Sequence, residues 1–138
     1  MMRLIKFRGK RLDNGEWVYG AFVPDATERT HGDMVTWGFI RRYNSECGRM
    51  ETIAVDRESV GQYTGLKDKN GNKIYEGDIV KVYDGFKERT FTGVVEFRNA
   101  SFMINEEDFI EHYRWIDYRC EVIGNIHENP ELVVADNA

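Results

Sequence analysis

Apolar and polar residues alternate with the two-residue period of a β-strand along much of this 138-residue chain. Residues 4–11 and 16–23 carry the pattern on both sides of Asn14-Gly15, and an Asn-Gly pair accepts the positive φ angles of a tight turn. The pattern therefore predicts an antiparallel hairpin at the start of the chain. The same alternation predicts further short strands near residues 35–39, 53–56, 91–97, 102–104 and 120–126.

The run from residue 62 to residue 80 is punctuated by glycines six residues apart, which are Gly65, Gly71 and Gly77. Asp68 and Asn70 precede the second glycine with the residue chemistry of a tight hairpin turn. The sequence Glu76-Gly77-Asp78 then turns the chain again into a strand at 79–82. A phosphate-binding loop is excluded, because Gly71 is not followed at once by Lys and then Ser or Thr. The run is therefore interpreted as a folding signal.

One segment departs from the strand pattern. Asn105 has the side chain of a helix N-cap, and the acidic residues 106–108 suit the positive end of a helix dipole. Phe109, Tyr113 and Ile116 would then lie on one side, which predicts a short helix within 106–117.

Many short strands and at most one short helix indicate a mainly β fold. We expect short antiparallel strands that form a bent sheet, with a small SH3-like barrel in the second half of the chain. A closed barrel and a bent open sheet are both compatible with the pattern.

Length and composition indicate one domain over residues 1–138, with possible subdomains at 1–60, an N-terminal β-sheet, and at 61–135, a small β-barrel. Cys47 and Cys120 lie far apart without CxxC spacing, which indicates two reduced thiols rather than a disulfide or a zinc site. No apolar run reaches the length of a membrane span, and the first residues lack a signal-peptide core. We therefore expect a soluble cytoplasmic protein with no membrane partner.

The candidate catalytic and metal-binding groups match no motif that carries chemistry. None of the serines lies in a GxSxG turn, and neither cysteine has a histidine nearby in sequence. The closest grouping of metal-ligand types is Glu107, Asp108, Glu111 and His112, which lacks HExxH spacing and is interpreted as a solvated acidic face. We expect no catalytic residue, no metal and no cofactor.

The net charge of −5 is unevenly distributed: residues 1–60 hold ten Lys/Arg and nine Asp/Glu, and residues 61–138 hold nine and fifteen. Alternation places the basic residues of the first strand on one face, and two later arginines extend this candidate binding patch, which comprises Lys6, Arg8, Lys10, Arg41 and Arg42. A phosphate backbone can follow such a patch, although the negative net charge disfavours nucleic acid. Pairing with the acidic segment 106–117, within the chain or between subunits, is the alternative.

Three stretches form a specific combination: Ile5-Lys6-Phe7-Arg8, the glycine-punctuated run at 60–80, and the closing Gly-Asn-Ile-x-Glu-Asn-Pro at 124–130. Through them the chain resembles the YopX family of bacteriophage and prophage proteins. The motif positions, for which structural duties are expected, are Gly65, Asp68, Asn70, Gly71, Gly77, Asp78, Gly124, Asn125 and Pro130. The resemblance implies a predominantly β fold, a phage or prophage origin in a bacterial cytoplasm, and no established biochemical activity.

Two functions follow as expectations. The favoured one is a non-catalytic accessory protein that acts as a protein-interaction or self-assembling module, with a second copy or a host or phage protein as partner. The alternative is a nucleic-acid-binding accessory protein that uses the basic N-terminal strand.

Overall fold

The computed structural model describes residues 3–24, 37–84, 88–98, 100–106, 109–111 and 120–134. The chain divides into two compact units, Met1–Gln62 and Tyr63–Ala138. Antiparallel strands make up most of both units, which confirms the mainly β fold class. Within the described ranges, no helix is long and apolar enough to cross a membrane.

The described residues of the first unit form four strands, the last of which continues into the second unit: β1 (Phe7–Arg11), β2 (Trp17–Val23), β3 (Trp37–Asn44) and β4 (Arg49–Lys67). β1 pairs with β2, β2 with β3, and β3 with β4, all antiparallel. β4 also pairs with β1, so the pairings of this unit close into a ring. Each of these four strands therefore has a partner on both sides over part of its length, which reduces the number of unpaired backbone groups at sheet edges.

The inward-facing residues of these strands form the core of the first unit, with Val18, Ile40 and Val55 almost fully buried. Phe7 and Phe22 pack beside them with ring centroids 5.8 Å apart. The predicted opening hairpin is confirmed, and Gly15 in its turn has a φ of +73°. Because side chains alternate along a strand, the neighbours of the core residues point away from it.

β4 is far longer than the short fourth strand predicted near residues 53–56. An irregularity at residues 57–60 lets it bend and still keep β1 as a partner. There Ser59, which is 2% exposed, accepts a hydrogen bond from the N–H of Lys10 at 2.8 Å and donates one to the carbonyl of Asp56 at 2.5 Å. The hydroxyl takes the place of a ladder partner, and pairing with β1 resumes at Gly61.

The second unit contains the end of β4 together with β5 (Lys73–Tyr75), β6 (Asp78–Asp84), β7 (Arg89–Arg98), β8 (Ser101–Glu106), β9 (Phe109–Glu111), β10 (Cys120–Asn125) and α1 (Glu131–Val134). The end of β4 forms a hairpin with β5. The other strands form an antiparallel sheet in the order β10-β6-β7-β8-β9. The order is open among the described strands, and the SH3-like barrel stays a prediction.

The core of the second unit is built from several strands, and its buried members are Ile74, Val80, Val82, Phe91, Val95, Ile104 and Cys120. The strands predicted near residues 91–97 and 102–104 are confirmed as β7 and β8, which pair antiparallel. Phe97, near the end of β7, lies beyond the core and is 54% exposed. Its ring packs edge-on against that of Phe102, with centroids 5.1 Å apart.

The short helix predicted within 106–117 is wrong where the structure describes that segment. Glu106 pairs with Phe109, and Asn105 with Ile110, so β8 and β9 are antiparallel partners there. Ladder hydrogen bonds to β8 replace the capping bonds that an isolated helix would gain from Asn105. The rest of the segment lies outside the described residues. A helix of four residues, α1, instead follows Pro130.

Replacement of Ser59 by alanine is expected to destabilise the protein by about 1–3 kcal/mol, because the partly buried N–H of Lys10 loses its acceptor. Urea unfolding followed by circular dichroism measures the change. The control is Ser101→Ala, which removes a longer, exposed hydrogen bond of 3.4 Å to the Arg98 carbonyl. Equal stability of the Ser59 and Ser101 variants would contradict the role given to the Ser59 hydroxyl.

Candidate functional site

Asp68 is the centre of the turn between β4 and β5. It is 3% exposed, and its Oδ1 accepts hydrogen bonds from the N–H groups of Asn70 and Asn72, both at 2.9 Å. The N–H of Gly71 donates to the Asp68 carbonyl at 3.0 Å, and Gly71 has a φ of +83°. The Asn-Gly turn indicated by the sequence is therefore present, and a buried carboxylate organises it.

Asp68 and Lys69 also cover the side of β10 that faces away from β6. The second carboxylate oxygen of Asp68 accepts a hydrogen bond from the N–H of Val122 at 3.0 Å, and the N–H of Lys69 donates to the carbonyl of Cys120 at 3.0 Å. These two bonds satisfy backbone groups that an edge strand would otherwise leave open. The turn thus acts as a short substitute strand beside β10.

The hydrogen bonds at Asp68 also set its ionisation. Burial alone would raise its pKa, but the hydrogen bonds from the N–H groups of Val122, Asn72 and Asn70 outweigh burial and hold the pKa below the ordinary aspartate value. The folded protein therefore keeps this carboxylate ionised, as its role as an acceptor requires.

The second turn of the glycine-punctuated run joins β5 to β6. The carboxylate of Asp78, which is 2% exposed, accepts a hydrogen bond from the N–H of Tyr75 at 2.7 Å. Gly77, with a φ of +91°, donates its N–H to the carbonyl of Val95 at 2.8 Å and accepts at its carbonyl from the N–H of Ile126 at 2.9 Å. Gly77 therefore connects β7 with the residue after β10.

The closing motif forms a second compact turn. The side-chain oxygen of Asn125 accepts hydrogen bonds from the N–H groups of His127 and Glu128, both at 3.0 Å. A Cβ at Gly124 would lie 2.7 Å from Oδ1 of Asn129, so this close approach favours glycine. Pro130 ends the turn, and α1 begins at the next residue.

Gly65 completes the set of motif positions. Its φ is +90°, and a Cβ placed there would meet nothing within 4 Å. Backbone conformation rather than a neighbour therefore accounts for glycine at this position. Beside it, the hydroxyl of Thr64 donates to the carbonyl of Ile74 at 2.9 Å. The structure thus gives the family-like motif backbone duties within the second unit.

The basic residues of the first strand lie beside the aromatic residues of β2. Lys10 is opposite Trp17 and Arg8 is opposite Tyr19 in the register. The guanidinium of Arg8 lies 4.5 Å from the centroid of the Trp17 ring, and the ammonium of Lys10 lies 5.5 Å from the same ring. Lys6 lies 5.6 Å from the Tyr19 ring. Arg8 is only 6% exposed, so cation–π contacts hold part of the predicted basic patch against the protein.

Arg41 and Arg42 are separated by the alternation of β3. Arg42 lies 3.3 Å from the Glu51 carboxylate, and the side-chain amide of Asn44 donates to the same carboxylate at 2.6 Å. The hydrogen bond from Asn44, followed by that from Arg42, holds the pKa of Glu51 below its ordinary value. Arg41 points to the opposite side, is exposed, and makes no ion pair with any residue that the structure describes. The structure therefore does not bring the two arginines into one patch.

Arg41 lies on an outward surface that we call the Arg41 face. Its apolar members, which were not selected from the sequence, are Val23, Phe39, Tyr43 and Met50. In the register Phe39 is opposite Val23, and Tyr43 is opposite Met50, so these side chains share one side of the sheet. Val23, Tyr43 and Met50 are 37%, 63% and 49% exposed. The alternation of residues along β3 indicates which of its own side chains share a side, but only the pairing of β3 with β4 shows that Met50 belongs to the same face.

Other candidate chemistry is sparse in the described part of the chain. No group of three or more His, Cys, Asp or Glu side chains is placed to hold a metal there. The acidic group at Glu107, Asp108 and His112 lies outside the described residues, as does the side chain of Glu111. Cys47 is exposed and Cys120 is buried, each as a thiol.

The model of the YopX protein family matches residues 6–134, and the chain belongs to this family. Among solved structures, the chain is similar to the crystal structure of protein EF1440 from Enterococcus faecalis, with 26% sequence identity and a TM-score of 0.53. This similarity covers 96% of the chain and 99% of that protein. No curated protein matches the chain significantly.

Replacement of Asp68 by alanine is expected to destabilise the protein by about 2–3 kcal/mol at neutral pH, because several N–H groups lose a charged acceptor. Urea unfolding measures the loss. The matched control is Asp13→Ala, which removes an exposed turn carboxylate paired with Arg11 and is expected to change stability little.

The Asp68 effect is also expected to depend on pH. The pKa of Asp68 is lowered by folding, so its stabilisation is complete above the ordinary aspartate pKa and is lost as the pH falls through the lower pKa of the folded protein. The difference in unfolding free energy between wild type and Asp68→Ala should therefore shrink on acidification below about pH 4. A difference that stays constant down to pH 2 would contradict the ionised-acceptor role.

Proposed function

We propose that this YopX family member is a phage or prophage accessory protein that works in the bacterial cytoplasm as a non-catalytic protein-interaction or self-assembling module. Family membership supports the phage setting. The observation that carries the interaction role is the Arg41 face, where Tyr43 and Met50 expose 63% and 49% of their surface side by side. Clustered apolar side chains on an exposed sheet face are typical of sites where another protein binds.

The roles of the motif residues support the same conclusion. Asp68, Gly77 and Gly124 are occupied with turns and backbone contacts of the second unit. These structural contacts account for the residue types at the three positions, so none of the three needs a substrate to explain it. A non-catalytic function depends instead on side chains at the protein surface. Among these, the Arg41 face combines apolar side chains with the exposed charge of Arg41.

A nucleic-acid function is the second candidate, and the placement of the basic patch supports it less. Arg8 is buried against Trp17, Lys10 lies over the same ring, and Arg42 lies beside Glu51. Binding along a phosphate backbone depends on several cations that can each neutralise a phosphate. Four cations of this patch, Lys6, Arg8, Lys10 and Arg42, are engaged with the protein's own aromatic and acidic groups, and the fifth, Arg41, lies among the apolar residues of the Arg41 face, which suits another protein.

The proposal is tested by affinity capture of the tagged full-length chain from bacteria that also express an untagged copy. Retained proteins are identified by mass spectrometry, with and without nuclease. We expect the wild type to retain a specific protein after nuclease treatment, and the double variant Tyr43→Ser/Met50→Ser to lose it. Both positions are exposed, so the fold should tolerate the changes.

The control for this capture is Tyr83→Ser, which removes an aromatic ring of similar exposure, 48%, from the second unit. This variant should retain the same protein as the wild type. Retention that disappears with nuclease would favour the nucleic-acid function. Equal retention by the wild type and the Tyr43/Met50 variant would remove the Arg41 face as the interaction surface.

A further inference from the structure

The outward side of the first unit extends beyond the Arg41 face, because the strand register places further residues on the same side. Ala21 of β2 and Thr52 of β4 are both opposite Arg41, and both are exposed. Tyr19 lies two residues before Ala21, and therefore on the same side of β2, and it is opposite Arg8 of β1. Arg8 thus shares the outward side of the sheet with Arg41.

Tyr19 lies between the cations of β1 and Arg41. The Lys6 ammonium is 5.6 Å from the centroid of the Tyr19 ring, which is 39% exposed. On the other side, Arg41 is the diagonal neighbour of Tyr19 on the next strand, a position about 7–8 Å away. Lys10, two residues after Arg8, lies on the same outward side. We call this area the cationic face, and its members are Lys6, Arg8, Lys10, Tyr19 and Arg41.

The charge of the cationic face is positive among the described residues. Asp56, which is opposite Lys10, is the carboxylate that the register places beside its four cations. A cation–π contact leaves the charge of the cation in place, because the aromatic ring carries no net charge to neutralise it. The face therefore attracts an acidic partner before contact and orients it.

Arg41 is the cation best placed to contact such a partner directly, since it is exposed and makes no ion pair in the described ranges. Across the sheet its neighbours are the short side chains of Ala21 and Thr52. Along β3 its neighbours are the rings of Phe39 and Tyr43. A carboxylate can approach the guanidinium over the short side chains, while an apolar group of the same partner covers the Tyr43 ring.

The cationic face suits a carboxylate better than it suits a single-stranded nucleic acid. Binding of single strands depends on bases that stack on the faces of aromatic rings. Cations already lie over two of the rings on this side of the sheet: Lys6 over Tyr19, and both Arg8 and Lys10 over Trp17. A carboxylate needs the N–H groups of a cation and no ring face, so these contacts do not compete with it.

We propose that the cationic face binds an acidic segment of another protein, in which carboxylates alternate with apolar side chains. The inference rests on the proposed interaction function and names the chemistry of the partner. One carboxylate binds Arg41, and a second lies near the cations of β1, which is two strands or about 10 Å away. On the order of three residues of extended chain cover that distance, so an apolar side chain between the two carboxylates lies over Tyr19.

Selection of binders from a random peptide library by the immobilised full-length protein tests the proposal. We expect the wild type to enrich peptides in which Asp or Glu alternates with aromatic or aliphatic residues. Fluorescence anisotropy then measures the affinity of the most enriched peptide, labelled with fluorescein. Arg41→Glu should weaken its binding by on the order of tenfold, and added salt should weaken its binding to the wild type.

Two controls accompany this measurement. Lys67→Glu replaces a cation by an acid at an exposed strand position of the second unit and should leave the affinity unchanged. The enriched peptide with Asn and Gln in place of its Asp and Glu keeps the apolar side chains and should bind far more weakly. Thermal unfolding verifies that each variant is folded, and Arg41→Gln, which removes the charge without reversing it, takes the place of Arg41→Glu if the latter does not fold.

Enrichment of no peptide, or of peptides without acidic residues, would overturn the acidic partner, as would equal affinity of the wild type and Arg41→Glu for the enriched peptide. Tighter binding of a labelled single-stranded oligothymidine than of the peptide, lost in Arg41→Glu, would overturn it in favour of nucleic acid. A stable dimer in sedimentation velocity that Arg41→Glu dissociates would overturn it in favour of a second copy.

The capture experiment separates this inference from the proposed function. If the captured protein depends on Tyr43 and Met50 but is retained equally by Arg41→Glu, the interaction function stands and only the acidic partner fails. If the capture shows no such protein and the library enriches no peptide, both fail.

Discussion

The carboxylate of Asp68 meets two structural demands: it orders the turn between β4 and β5, and it accepts a hydrogen bond from the distant strand β10. One oxygen orders the turn through the N–H groups of Asn70 and Asn72, and the other meets the N–H of Val122, 54 residues further along the chain. Neither demand alone needs a buried charge, because a neutral acceptor can close a tight turn. Serving both at once favours an ionised acceptor, whose hydrogen bonds are stronger than neutral ones. The sheet of the second unit thus relies on a side chain for a contact that another strand would otherwise make.

Local chemistry was enough to predict the hairpins but not the pairings between distant segments. The Asn-Gly turns at Gly15 and Gly71 were readable, because their conformations depend on adjacent residues. The ring of the first unit depends instead on the pairing of β4 with β1. At the irregularity of β4 that permits this pairing, the hydroxyl of Ser59 accepts a hydrogen bond from the N–H of Lys10, 49 positions away. Nothing near Ser59 in the sequence indicates that contact. The predicted helix failed for the same reason, since its capping signal is local and the pairing of Glu106 with Phe109 prevails over it.

In the basic first strand, the alternation of residues predicted which side chains share a face, but not which groups of the neighbouring strand lie beside that face. Lys6, Arg8 and Lys10 share a side, as the period of two requires, but β2 places aromatic rings beside them. A guanidinium that stacks on an indole stays charged while it is largely removed from water. Counting cations on one strand therefore overstates how many can meet a ligand. Arg41, on a strand with one prominent charge on its outward side, is the more accessible cation.

The strand pairings also constrain how this protein can recognise others. The four strands of the first unit pair in a ring, so each has neighbours on both sides over part of its length, which limits the edge to which a peptide could add as a further strand. In the second unit, Asp68 and Lys69 occupy backbone groups on the outer side of β10. Where a strand edge is already paired, another protein can bind only to a face of the sheet. The specificity of such binding depends on the side chains of that face. An apolar face that carries the exposed charge of Arg41 can distinguish one orientation of a partner from the opposite one, because only one of them brings an opposite charge to Arg41.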